Sequence, residues 1–207
     1  LFIFSSAGAW WFYTKLGFNS IHLPGIGDFV IGWWYIPLFI LVIFATANAV
    51  NFTDGLDGLA GGLTIIAYGA FGILAYAKGM LILSAFCAVI AGATIGFLWF
   101  NVPPAKFYMG DTGALALGAT LGVIAMLTNQ VTVLPLIGLI FVVETLSIII
   151  QLCSKKFLKK KVFHIAPLHH HYEHLGWPEF QITMRFWIVG GMAALLGVIL
   201  GLIGAGV

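Results

Sequence analysis

Six stretches of roughly twenty residues, with one charged side chain among all of them, decide what this chain can become. They run from Phe29 to Thr53, Gly58 to Ala77, Gly79 to Ala105, Thr112 to Gln130, Val131 to Ser154 and Phe186 to Val207, and Glu144 is the single charge. A helix rises about 1.5 Å per residue, so about 20 apolar residues cover the roughly 30 Å hydrocarbon core of a bilayer. The pattern predicts an all-α integral membrane protein: a polytopic helical bundle, formed as a single membrane domain over all 207 residues. Charged residues are 8% of the chain, against about a quarter in soluble domains, and the soluble globular classes are excluded.

Leu1 to Tyr13 is apolar but too short for a full crossing and is expected to be a truncated span. With no initiator Met and no basic leader it does not read as a signal peptide, and the chain is expected to be the later part of something longer. Between Lys15 and Asp28, "KLGFNSIHLPGIGD" combines turn formers with short alternation and predicts a surface hairpin or loop. Cys87 and Cys153 lie singly in apolar runs and are expected to act as buried small hydrophobes.

Alternating the spans across the membrane sorts the charges unequally. Lys106, Lys155, Lys156, Lys159, Lys160, Lys161 and Arg185 fall on one face, while Lys15 and Lys78 fall on the other. The positive-inside rule makes the first face cytoplasmic. Asp54, Asp57, Asp111 and the segment from His164 to His174 share that face, so its connections are expected to converge on one site.

In "NAVNFTDGLDGLAGG" Asn51, Asp54 and Asp57 recur every third residue, near one helix face if the helix runs on. One Asp there reads as a cap; two Asp with Asn and Gly are more than a cap needs. In "NVPPAKFYMGDTGALALG" Asp111 opens a span either as a helix cap or as a carboxylate that holds Mg²⁺ against a phosphate at the helix N-terminus. "HIAPLHHHYEHLGW" lacks the i, i+4 spacing of zinc helices, and phosphate contact by His169, His170 and His171 is favoured over proton transfer. The lysine cluster reads as a topology determinant drawn to anionic headgroups. Glu144 should face the bundle, as a hydrogen-bond partner of another helix or a cavity residue. Such groups at helix ends suit a phosphate-bearing substrate meeting a lipid.

Four stretches, "NAVNFTDGLDGLAGG", "FLWFNVPPAKFYMGDTGALALG", "FVVETLSIIIQ" and "APLHHHYEHLGWPE", resemble the phospho-N-acetylmuramoyl-pentapeptide transferase (MraY) family of bacterial cell-wall synthesis. The resemblance covers nearly the whole chain and implies about seven of the family's ten transmembrane helices, with a short extracytoplasmic hairpin. It implies transfer of phospho-N-acetylmuramoyl-pentapeptide from UDP to undecaprenyl phosphate, giving lipid I and UMP, with Mg²⁺ as cofactor. The site would face the cytoplasm from the bacterial inner membrane, among membrane lipids, in a homodimer and with no nucleic-acid partner. By the same resemblance Asp111 is the Mg²⁺ ligand and Asp54 the essential carboxylate beside it. Gly55, Leu56 and Asp57 border the uracil, Asn101 bonds to it and Tyr108, commonly Phe in the family, stacks on it. Asn51, Gln151 and His169 to His171 lie around the diphosphate and sugar. The family's adjacent aspartate pair and its early lysines would precede Leu1. Two competing functions are a related transferase using UDP-N-acetylglucosamine and, from another class, a secondary transporter. A transporter's site would sit near the midplane, and its halves often repeat.

Overall fold

The structure is a computed structural model that describes residues 1–203. Helix α1 (Phe2–Thr14) leads into an antiparallel hairpin, β1 (Ser20–Leu23) and β2 (Gly27–Val30), in which Ser20 faces Val30 and Leu23 faces Gly27. The expected hairpin is thus present, and its second strand extends two residues beyond Asp28. A short 3-10 turn, Gly32–Trp34, opens α2 (Tyr35–Thr53), followed by α3 (Leu59–Ala77), α4 (Leu81–Asn101) and α5 (Gly110–Leu127). Then come α6 (Leu134–Ile137), α7 (Leu139–Cys153), a π-helical turn at Ser154–Leu158, α8 (Leu168–His174) and α9 (Glu179–Ile203). Helices close their own backbone hydrogen bonds, which is what an apolar run needs in lipid.

Among the described residues five helices are long and apolar enough to cross a membrane: Gly32–Thr53, α3, α4, α5 and α9. The sequence predicted a sixth unbroken span from Val131 to Ser154. It is instead made of α6 and α7, interrupted at Gly138, whose φ of −97° and ψ of 31° leave the helical region. Pro135, in the first turn of α6, lacks the N–H to continue a helix from before Leu134. The predicted last span begins earlier than Phe186, at Glu179, and its residues 204–207 lie outside the described residues.

Hydrogen bonds sort the connections into two ends. At one end the His22 N–H donates to Asn129 Oδ1 at 3.1 Å, Thr132 Oγ1 to the His22 carbonyl at 2.7 Å, and Lys78 Nζ to the Thr128 carbonyl at 2.8 Å. There Phe12 packs on Phe39, ring centroids 4.7 Å apart, and seats α1 on α2. Asp54, Asn101, Asp111 and the histidines from His164 to His174 lie at the opposite end. Ile82, Val89 and Trp99 on α4 and Leu195 on α9 are exposed, an apolar perimeter suited to lipid. Cys87 is buried as predicted, whereas Cys153 is exposed: with Leu152 it lies on the outer face of a turn whose Gln151 and Ser154 point inward.

Candidate active site

Helix α2 ends at Thr53, because Asp54 takes φ −78° and ψ 51° and the chain turns until Gly58, at φ +74°, starts α3. The helix therefore does not run on through Asp57. The turn itself brings Asn51, Asp54, Gly55, Leu56 and Asp57 to one cavity of about 220 Å³, closed by Asn101, Tyr108, Gly110 and Asp111. Tyr108 is 73% exposed at its mouth, with its ring free to stack on a planar group.

None of Asp54, Asp57 and Asp111 caps a helix start with its side chain: Asp54 is the residue on which α2 ends, Asp111 lies in the first turn of α5, and α3 and α5 have no side-chain cap. Asp111 Oδ1 accepts from Asn51 Nδ2 at 2.9 Å, tying α5 to α2. Burial pushes the Asp54 carboxyl above its usual 3.8 and the nearby Asp111 charge adds to the rise, while a hydrogen bond from the Gly110 N–H opposes it. Two close carboxylates at a helix start suit a hard cation that takes one or two protein oxygens and fills its shell with water and phosphate. No group of three or more His, Cys, Asp or Glu side chains converges among the described residues.

The turn from Asp54 to Gly58 is held from several sides. The Asp57 N–H donates to Glu179 Oε1 at 2.6 Å, and Thr183 Oγ1 donates to the Asp57 carbonyl at 3.3 Å, both from the start of α9. Asp57 Oδ2 accepts from the Ala105 N–H at 2.8 Å and fixes the proline-rich loop. Asn101, buried, accepts from the Gly58 N–H at 3.1 Å and donates to the Phe107 carbonyl at 3.0 Å, leaving one amide N–H for a ligand. Glu179 and Thr183 escaped the sequence reading. Their signal was faint: a Glu two residues after Trp177 looks like an ordinary acidic residue at a helix start.

The three consecutive histidines are placed differently from one another. His169 is fully buried, His170 and His171 only partly. His170 Nδ1 lies 2.5 Å from Glu173 Oε2. His171 Nδ1 accepts from the His164 N–H at 3.3 Å, and the two rings stack with centroids 5.4 Å apart. Tyr172 stacks on Trp177, which also carries the Arg185 guanidinium 4.2 Å from its ring centroid, so α8 is docked on α9. Gln151 is outside the cavity. Its Oε1 accepts from the Val162 and Phe163 N–H groups at 3.1 and 3.0 Å and its Nε2 donates to the Phe163 carbonyl at 2.8 Å, pinning the loop before the histidines. Glu144, expected to face the bundle, is fully buried and accepts from the first N–H groups of α8. It is the hydrogen-bonded partner of another helix, the arrangement that offsets a desolvation cost of several kcal/mol.

A second, apolar groove of about 450 Å³ runs between α2, α5, α6 and α7, past Leu41, Ala45, Leu121, Pro135 and Val142. The carboxylates are not part of it.

The sequence profile of Glycosyl transferase family 4 matches residues 1–129. The chain belongs to glycosyl transferase family 4. The matched residues include α2 to α5 and so the whole cavity. The chain is 47% identical over 188 residues to the phospho-N-acetylmuramoyl-pentapeptide-transferase of Geobacillus thermodenitrificans (strain NG80-2), covering 90% of this chain and 58% of that relative. It is 48% identical over 188 residues to the protein of the same name from Shouchella clausii (strain KSM-K16), with the same coverage. With that of Bacillus thuringiensis (strain Al Hakam) it shares 48% identity over 182 residues, 87% of this chain and 56% of that one. The chain thus spans less than three fifths of the length of these curated relatives, and the similarity extends beyond the family profile into α8, the histidines and α9.

Proposed function

We propose that this family 4 chain carries the nucleotide and histidine part of a Mg²⁺-dependent phospho-sugar transferase of the bacterial inner membrane. It would move phospho-N-acetylmuramoyl-pentapeptide from UDP to undecaprenyl phosphate, giving lipid I and UMP. The observation that carries the reading is the cavity in which Asn51, Asp54 and Asp111 meet Tyr108 at the ends of membrane helices. The names of the relatives that match 90% of the chain support the choice of substrates.

A lipid phosphate already has an anionic oxygen, so it needs no base to attack. In the reaction this oxygen forms a bond to the sugar-bearing phosphorus as the pyrophosphate bond breaks, and UMP leaves with the bridging oxygen. The work left to the protein is holding and charge compensation. Tyr108 stacks on the uracil, with Gly55, Leu56 and Asp57 along its edge and the spare N–H of Asn101 directed to it. His170 and His171 donate to phosphate or sugar oxygens. Asn51 keeps the Asp111 carboxylate aimed at the cavity, with Asp54 beside it. Bound to Asp111 and Asp54, Mg²⁺ would supply compensation for phosphate charge. The apolar groove along α2 and α7 offers a long prenyl tail contact with side chains alone. The histidine end faces the cytoplasm in this reading, and two copies associate as a homodimer.

UMP release and lipid-linked product formation by the complete protein test the proposal. Asp111→Asn should lower turnover about 10²-fold or more while the protein stays folded in detergent, because a neutral amide is a poor ligand for a hard cation. Near-normal turnover at ordinary Mg²⁺ would reduce Asp111 to a structural partner of Asn51.

A further inference from the structure

We propose that Glu144 and His169 form a buried positioning unit that seats the Asp54–Asp57 turn. The first histidine of the triplet then acts through the protein interior, and only its two neighbours are left to face substrate. The consequence for turnover rests on the transferase reading above; the mechanical part stands on geometry alone.

Glu144 is 0% exposed, and both of its oxygens are engaged by the start of α8. Oε2 accepts from the Leu168 N–H at 2.7 Å and Oε1 from the His169 N–H at 3.1 Å. The His169 Nδ1 lies 3.1 Å from Oε2 without forming a hydrogen bond, so the carboxylate binds the backbone of His169 and sits beside its ring. With Nδ1 turned toward Glu144, the far edge of the imidazole is driven against Gly55. A methyl group added at Gly55 would lie 2.3 Å from His169 Nε2, too close without the ring moving, and 3.0 Å from Cε1. The ring occupies the space that a side chain at position 55 would need.

The chemistry of each residue suits the task. A phenyl ring at position 169 would fill the same space but offer Glu144 no nitrogen. Neither ring nitrogen of His169 makes a hydrogen bond among the described residues, so the ring serves by contact, with Nδ1 facing the Glu144 carboxylate and the far edge facing Gly55. Gly55 lines the cavity between Asp54 and Asp57, so the ring bears on the turn that carries both carboxylates. Misplacement of a reacting group by about 1 Å costs about 10²-fold in rate.

The test uses the complete protein in detergent with UDP-N-acetylmuramoyl-pentapeptide and undecaprenyl phosphate. The variants are Glu144→Gln, His169→Asn and His170→Gln, with the pairs Glu144→Gln/His169→Asn and Glu144→Gln/His170→Gln. Glu144→Gln and His169→Asn should each lower kcat about 10²-fold with KM for the nucleotide changed far less. Their combination should be no worse than the poorer single variant, whereas losses with His170→Gln should multiply. Hydrogen exchange supplies a readout that does not depend on activity: the amides of Gly55 to Gly58 should exchange faster in both single variants, with α4 unchanged. Multiplying losses for Glu144 and His169, or unchanged exchange at the turn, would overturn the proposal. If Glu144→Gln does not fold, His169→Asn and Gly55→Ala carry the exchange measurement. Should the unmodified protein release no UMP, the transferase reading falls while the exchange result still decides whether the unit positions the turn.

Discussion

At the scale of single residues, the site holds groups that the fold would be more stable without. Asp54 is partly buried beside Asp111, and burial with that neighbouring charge holds its carboxyl above its usual 3.8. A raised pKa means that the folded state binds the proton more tightly than the unfolded chain, so the group's contribution favours folding at low pH. That contribution is fully present below 3.8 and is lost as pH rises through the folded-state value. At neutral pH without divalent metal, the ionised Asp54 is therefore a burden. Asp54→Asn should raise the thermal midpoint at pH 7 in a chelator while removing most activity. The gap to the unmodified protein should narrow as the pH is lowered toward the folded-state value. An equal or lower midpoint for Asp54→Asn at pH 7 would show that the Gly110 hydrogen bond to the carboxylate outweighs burial and repulsion. Mg²⁺ should close the gap from the other side, by stabilising only the protein that keeps the carboxylate.

At the scale of elements, the site depends on how closely α2 and α5 approach. A methyl group at Gly118 would lie 2.5 Å from the Thr46 carbonyl oxygen and 2.7 Å from the Ala47 Cα, and one at Gly122 would lie 2.6 Å from Thr46 Oγ1. The two glycines are spaced as in close-packed membrane helices, where small residues let backbones touch. Because α2 carries Asn51 and α5 carries Asp111, their hydrogen bond is set by this contact two turns away. Gly118→Ala should destabilise by about 1–3 kcal/mol through overpacking against backbone and should lower transfer activity further than stability alone explains. Gly96→Ala on α4, where an added methyl meets nothing within 4 Å, should leave both unchanged. A normal midpoint and activity for Gly118→Ala would show that the helices can separate at no cost. This contact also marks what the sequence made legible. Uncharged length gave the helices, and motif chemistry picked out Asn51, Asp54 and Asp111, which share one cavity with Tyr108, a residue reached only through the family resemblance. The break at Gly138 was hidden because its neighbours are as apolar as those of an unbroken span. Three adjacent histidines looked equivalent because burial is decided by which side of a seven-residue helix meets Gly55, and no local pattern records that. Gln151 looked like a substrate group because an amide that satisfies loop backbone and one that satisfies a ligand have the same sequence. The glycine spacing at Gly118 and Gly122 was readable, but glycine is frequent in every span of this chain.

At the scale of the whole molecule, the two ends have different charge and different chemistry. Seven of the nine Lys and Arg residues lie with the cavity and the histidines, and Lys15 and Lys78 lie toward the hairpin. The hairpin end closes on itself: His22 Nδ1 lies 2.8 Å from Asp28 Oδ1, and Lys78 and Asn129 bond to neighbouring groups of that end. At the cavity end the polar groups instead converge on open space. Burying its reaction groups on the lysine-rich side would give the protein access to nucleotide made in the cytoplasm, since lysines are retained there. Single cysteines in a background of Cys87→Ala and Cys153→Ser, the second needed because Cys153 is exposed, test the arrangement in sealed inner-membrane vesicles. Lys160→Cys and His174→Cys should react with an impermeant maleimide from the cytoplasmic side only, and Ile26→Cys, at the hairpin turn, from the opposite side only. Labelling of His174→Cys from the outer side alone would turn the molecule over in the membrane. The cavity would then face a compartment without UDP-linked substrate, and the proposed reaction would lose its supply whatever the geometry of Asp54 and Asp111.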